Sequence, residues 1–245
     1  IFNAISYLLF ALILSRLACQ EAPEKEADND APGNSTIGKR QGSYWSAVRN
    51  GLTSQHKLLL LFFALLALCY RPIFELLPAF AAHLAVGEAE RATAFSLMTS
   101  AQGFGATLGA LVTSVLLTRS RPLVLTMGFG LSAVVGCALF LISNALWAAL
   151  TSLMLLSGAI LANGICTQVI LQTQVPDIVR GKVLSLYTMI FRGLPALGAM
   201  AVGLIADKAH ERVIFAIGSL PVLVMLLRII LTLNKDRKKQ ASRRF

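Results

Sequence analysis

Arg71 and Glu75 stand four residues apart in the run 58–84, which is otherwise apolar enough to cross a bilayer. A charge at membrane depth is costly unless it is paired or faces water, so it marks either a pathway or an ion pair. Residues four apart share a helix face, although Arg before Glu is the weaker order for such a pair. Pro72 and Pro78 flank the charges in RPIFELLPAF. Each proline removes a backbone hydrogen bond and bends the helix, which transporters tolerate where a helix lines a cavity. Arg192 lies inside a later apolar run. Counting at ~1.5 Å per residue puts it about 15 Å in from Lys182, with Arg71 and Glu75 roughly 20–25 Å in from Lys57. The three are expected to form one charged centre. It either couples a proton or substrate to movement or locks two helices together; Glu75 is the single acid within the apolar runs.

Asn163 and Thr167 share one helical face with Gln174, about 25 Å from Leu146 and so near one end of their helix. They either line a cavity mouth or mark a wet helix end. Gly103, Gly105 and Gly109 lack the strand–turn–helix setting of a nucleotide loop. They fit better as small residues for close helix approach, together with Ala199 and Gly203. No catalytic set emerges, since His56, His83 and His210 fall at run ends without a partner nucleophile. Cys69, Cys137 and Cys166 lie inside apolar runs and Cys19 just past one, without ligand spacing. Neither metal nor cofactor nor enzymatic activity is expected.

The elements that would carry these residues follow from composition. Hydrophobic residues make up 56% of the chain and charged residues 14%, against roughly 25% charged in a soluble domain. Net charge is +10, but six of the 22 Lys and Arg residues fall in the last eleven positions and most others in connectors. That pattern orients membrane spans, so the expected partner is the lipid bilayer and not nucleic acid. Seven runs are long enough to span or to end a span: 1–15, 57–85, 95–117, 122–143, 146–173, 183–206 and 212–233. The chain opens inside the first, which is expected to be the end of a helix beginning upstream. Residues 18–56 form a linker, acidic over 21–30 and Gly/Ser/Asn-rich over 31–42, where no packed core is expected. Tyr44, Trp45, Val48 and Leu52 share one face of a short amphipathic helix that either lies on the membrane or packs on the bundle.

One alternating topology collects the basic clusters on one side. Arg16, Lys39, Arg40, Arg49 and Lys57 join Arg119 and Arg121, Arg180 and Lys182, and the tail KDRKKQASRR. The linker and C-terminus are therefore expected to be cytoplasmic. Spans three and six share Leu-Gly-Ala at 108–110 and 197–199. Being oppositely directed, they hint at inverted three-helix units.

The stretch QTQVPDIVRGKVLSLYTMIFRGLPALGA, residues 172–199, resembles the loop and helix between spans ten and eleven of major facilitator superfamily transporters. VPD, RG, SLY and FRG-P are similar to the enterobactin-exporter-like branch; RPIFELLPAF resembles its seventh helix and NAISYL its sixth. The resemblance implies an all-α membrane fold: the C-terminal six-helix bundle of a twelve-helix protein, without its first five helices. Residues 1–17 would end helix six, 18–56 would link the two halves, 57–234 would form the bundle and 235–245 the tail. It also implies proton-coupled efflux of a small drug-like or siderophore-like molecule across the bacterial cytoplasmic membrane, by alternating access with the missing N-terminal half. Asp177 and Arg180 match a cytoplasmic loop that helps hold one conformation closed, or serve as a helix cap or loop contact. The loop 117–122 keeps arginines but no acid. A non-transporting scaffold or accessory subunit is the rival reading. A channel fits less well, because no filter-like loop is apparent.

Overall fold

The computed structural model describes residues 51–84, 87–206 and 211–242, all within the unit spanning residues 43–245. They form helices and no strand. In chain order these are α1 (Ser54–Cys69), α2 (Pro72–Glu75), α3 (Leu77–Leu84), α4 (Glu88–Arg119), α5 (Pro122–Ile142), α6 (Leu146–Gln174), α7 (Asp177–Ala206) and α8 (Glu211–Ser242). Backbone groups in a bilayer must be satisfied within the segment, which leaves helices as the default for runs this apolar. Among the described residues, five stretches are long and apolar enough to cross: Ser54–Glu75, Glu88–Arg119, Pro122–Ile142, Leu146–Gln174 and Asp177–Leu204. The expected span 212–233 falls in α8, whose described apolar stretch is the shorter Phe215–Ile229. The expected span 1–15, most of the linker and Cys19 lie outside the described residues.

The helix ends follow the sequence. Glu88 and Glu90 open α4 and Arg119 closes it, each on the favourable end of the helix dipole. Pro122 begins α5, where its missing N–H is no loss. The run 57–85 is more than bent. It breaks into three helices, because Pro72 cannot donate to the Leu68 carbonyl and Pro78 cannot donate to that of Phe74. Tight i−3 bonds bridge the first break, Ile73 N–H to Tyr70 O at 3.2 Å and Phe74 N–H to Arg71 O at 3.0 Å.

α6 is the axis of the bundle, packed between α4 and α5, while α1 meets α7 and α8. With lipid outside there is no hydrophobic drive between helices, so close backbone approach must supply the packing. A Cβ on Gly109 would lie 2.6 Å from Gly158 Cα, and one on Gly136 would lie 2.9 Å from the Leu156 nitrogen. Gly105 meets the α6 backbone at Met154 in the same way. Gly103 and Gly203 have nothing within 4 Å, so the expected packing role holds for Gly105 and Gly109 and not for them. Leu52 is buried beside Val179 and Phe63 in the smaller of two apolar clusters, so this member of the expected amphipathic face packs on the bundle. Tyr44, Trp45 and Val48 lie outside the described residues.

Candidate functional site

The site forms where two proline-disturbed segments meet. On α7, Pro195 has no N–H for the carbonyl four residues earlier, that of Phe191. Arg71, at the break between α1 and α2, fills the gap: its Nη1 donates to Phe191 O at 3.1 Å. Its guanidinium also lies over the Phe191 ring, 4.1 Å from the centroid, in cation–π contact. One helix's missing donor is thus replaced by a side chain from the other. Gly198 brings the same pair together one turn on: a Cβ there would lie 2.5 Å from both Leu68 O and Pro72 Cγ. The Leu68 carbonyl is the one Pro72 leaves without a helical donor. Both glycines of the Leu-Gly-Ala repeat therefore sit against the backbone of a neighbouring helix.

An aromatic stack steadies Phe191. Phe63 stacks on Tyr187 with centroids 4.9 Å apart and on Phe191 at 6.0 Å. Tyr187 donates its hydroxyl to Gly164 O at 3.0 Å, tying α7 to α6. Above the stack opens a cavity of about 540 Å³ lined by Arg71, Glu75, Phe191, Arg192, Pro195, Ala196 and Ala199. It brings together the three charged residues singled out in the sequence. Glu75 and Arg192 are exposed there and Arg71 is half-buried. Both charges act electrostatically on Arg71. Glu75 nevertheless forms no ion pair within 4.0 Å with either arginine, so the helix-locking ion pair is not formed. Arg71 is held by Phe191 instead.

Asn163 and Thr167 are elsewhere. Both are 0% exposed inside the bundle, and Asn163 Oδ1 and Thr167 Oγ1 have no hydrogen-bond partner among the described residues. Asn163 Nδ2 donates to the α5 carbonyl of Thr126 at 2.7 Å, which ties α5 to α6. Gln174 turns to His56 at the foot of α1, its Oε1 3.2 Å from Nε2. Asp177 and Arg180 form an ion pair on the first turn of α7, where a carboxylate favours the helix dipole. Arg180 also reaches Val175 O at 3.4 Å, so the pair fastens the loop to the start of α7. Phe191 and Pro195 were not singled out as site residues. The signal for them is the four-residue spacing F-x-x-x-P, which predicts an orphaned carbonyl at Phe191.

Helices this long and apolar define a multi-pass membrane protein. Residues 1–244 match the family described as transmembrane secretion effector, within the major facilitator superfamily, and the chain belongs to that family. The family is one of transporters and not of enzymes. No curated protein matches the chain.

Proposed function

We propose that this chain supplies the C-terminal six-helix half of a twelve-helix secondary transporter, in the enterobactin-exporter-like branch. It exports a small drug-like or siderophore-like molecule across the bacterial cytoplasmic membrane by alternating access, energised by the proton gradient. Residues 1–17 then complete helix six, 18–56 cross the cytoplasmic side as a linker, 57–234 form the bundle and 235–245 a cytoplasmic tail. The opposing wall of the pathway is the N-terminal half of the same protein.

The observation that carries the reading is the cavity of Arg71, Glu75 and Arg192 at mid-span. Its charges are exposed at membrane depth, which is tolerable only against water, substrate or a second protein wall. Arg192 is the sixteenth residue of the 30-residue α7, close to its centre. Glu75, without an ion pair among the described residues, is the acid that takes up and releases the proton. The Asp177–Arg180 pair belongs to the cytoplasmic gate. In the intact protein, Glu75→Gln should fold, since it breaks no ion pair among the described residues, and should lose export or its pH dependence. A folded Glu75→Gln protein exporting at the normal rate with the normal pH profile would remove Glu75 from coupling. An intact wild-type protein that moves no solute under a proton gradient would sink the transport reading in favour of a scaffold.

A further inference from the structure

The cavity's charges do not balance, and their surroundings sharpen the imbalance. With Glu75 ionised, two guanidiniums face one carboxylate, a net charge of +1. Arg71 is engaged by the Phe191 carbonyl and ring, whereas Arg192 is exposed with no carboxylate of the described residues within 4.0 Å. Pro195, Ala196 and Ala199 add only apolar side-chain surface. We infer that this cavity binds an organic anion with an apolar body. The oxyanion (carboxylate, sulfonate or phosphate) meets Arg192, and the body lies along Phe191, Pro195 and Ala196.

The inference rests on the cavity being the transport site, and it names the substrate class. A guanidinium presents a planar fork of donors that matches an oxyanion bidentately, and it is less strongly hydrated than an ammonium. At membrane depth a like charge is poorly screened, so a cationic ligand would meet two guanidiniums with one carboxylate to oppose them. The volume of about 540 Å³ falls within the ~300–1,000 Å³ typical of small-molecule sites. The inside-negative potential also pushes an anion outward, so it adds to the proton gradient as a driving force for export.

Dansylglycine and dansylcadaverine share a fluorophore and carry opposite charges, which makes them a matched pair of probes. Binding to the intact protein, purified in a neutral detergent, would be followed by dansyl fluorescence at neutral pH. Dansylglycine should bind about tenfold more tightly than dansylcadaverine. Arg192→Gln should abolish that preference, and Glu75→Gln should strengthen dansylglycine binding severalfold by removing the competing carboxylate. Equal affinities, tighter dansylcadaverine binding or no binding of either probe would overturn the inference. Should Arg192→Gln fail to fold, Glu75→Gln decides alone, and unchanged or weaker dansylglycine binding overturns it. Export of dansylcadaverine but not dansylglycine would sink this inference and leave the transport reading standing. Selective dansylglycine binding without any export would sink the transport reading and leave the charge selectivity intact.

Discussion

α6 and α7 are nearly equal in length, 29 and 30 residues, yet they use their surfaces in opposite ways. The apolar stretch of α6 is 67% buried and that of α7 only 22%. α6 presents Gly158, Ser157, Ala159 and Ala162 to the helices packed against it, and its polar Asn163 donates its Nδ2 to α5. α7 leaves Met189, Leu197, Met200 and Leu204 exposed, carries Arg192 at its centre and is interrupted by Pro195. α6 holds the bundle together. α7 keeps surface free for what the bundle meets, whether lipid, substrate or a second wall.

The largest effect should come from breaking α6. A Cβ on Gly158 would lie 2.7 Å from the Gly105 carbonyl oxygen, and backbone cannot step aside as a side chain can. Gly158→Leu should therefore cost at least the ~1–3 kcal/mol typical of overpacking, or prevent folding altogether. On α7, Gly193 has nothing within 4 Å, so Gly193→Ala should be neutral or stabilising by up to ~1 kcal/mol through helix propensity. The buried thiols of Cys137 and Cys166 offer the readout: a thiol-reactive dye labels them on thermal unfolding. A Gly158→Leu protein that unfolds at the wild-type temperature would erase the contrast between the two helices.

A middling effect should come from the join between Arg71 and α7. Arg71→Ala leaves the Phe191 carbonyl without a donor, at about 1–3 kcal/mol for an unsatisfied buried group. Pro195→Ala restores an N–H four residues on, so the carbonyl can be satisfied within α7. The double variant should be more stable than the sum of the single changes predicts, with a coupling of ~1 kcal/mol. Strict additivity in thermal unfolding would show that Arg71 does not replace the donor missing at Pro195.

How far the sequence carries differs along the same contrast. The charged trio was legible because charge inside apolar runs is rare and costly, whatever the packing. The depth estimates placed Arg71, Glu75 and Arg192 near enough to meet, but not the role of Phe191, since an aromatic residue on an apolar helix carries no signal by itself. Asn163 and Thr167 were rightly put on one face. Which way that face turns depends on where α5 places the Thr126 carbonyl, and helical periodicity does not encode that. The same holds for Gly103 beside Gly105: both are small, and only the position of α6 separates packing from open space. The two prolines of 58–84 announced a disturbance; its size, a break into three helices bridged at Pro72 by i−3 bonds, is visible only in the structure.

The smallest effect on stability should lie at the solvent-exposed start of α7. Asp177 is 83% exposed and Arg180 40%, so their ion pair is largely solvated. Exposed pairs of this kind contribute ~0.2–1 kcal/mol, and salt screens them further. Asp177→Asn keeps a side chain able to cap the helix and should leave thermal unfolding nearly unchanged. If the pair only fastens the loop, export in cells should be unchanged as well. If it belongs to the gate, the cytoplasmic side should open more often, and a thiol reagent added from that side should label a cysteine placed at Ala199, in the cavity wall, faster in Asp177→Asn than in its parent. Unfolding and labelling measured on the same protein separate the two roles, because a loop contact moves neither while a gate moves labelling alone. Unchanged labelling with normal export would leave α7 with function only at its centre, around Arg192.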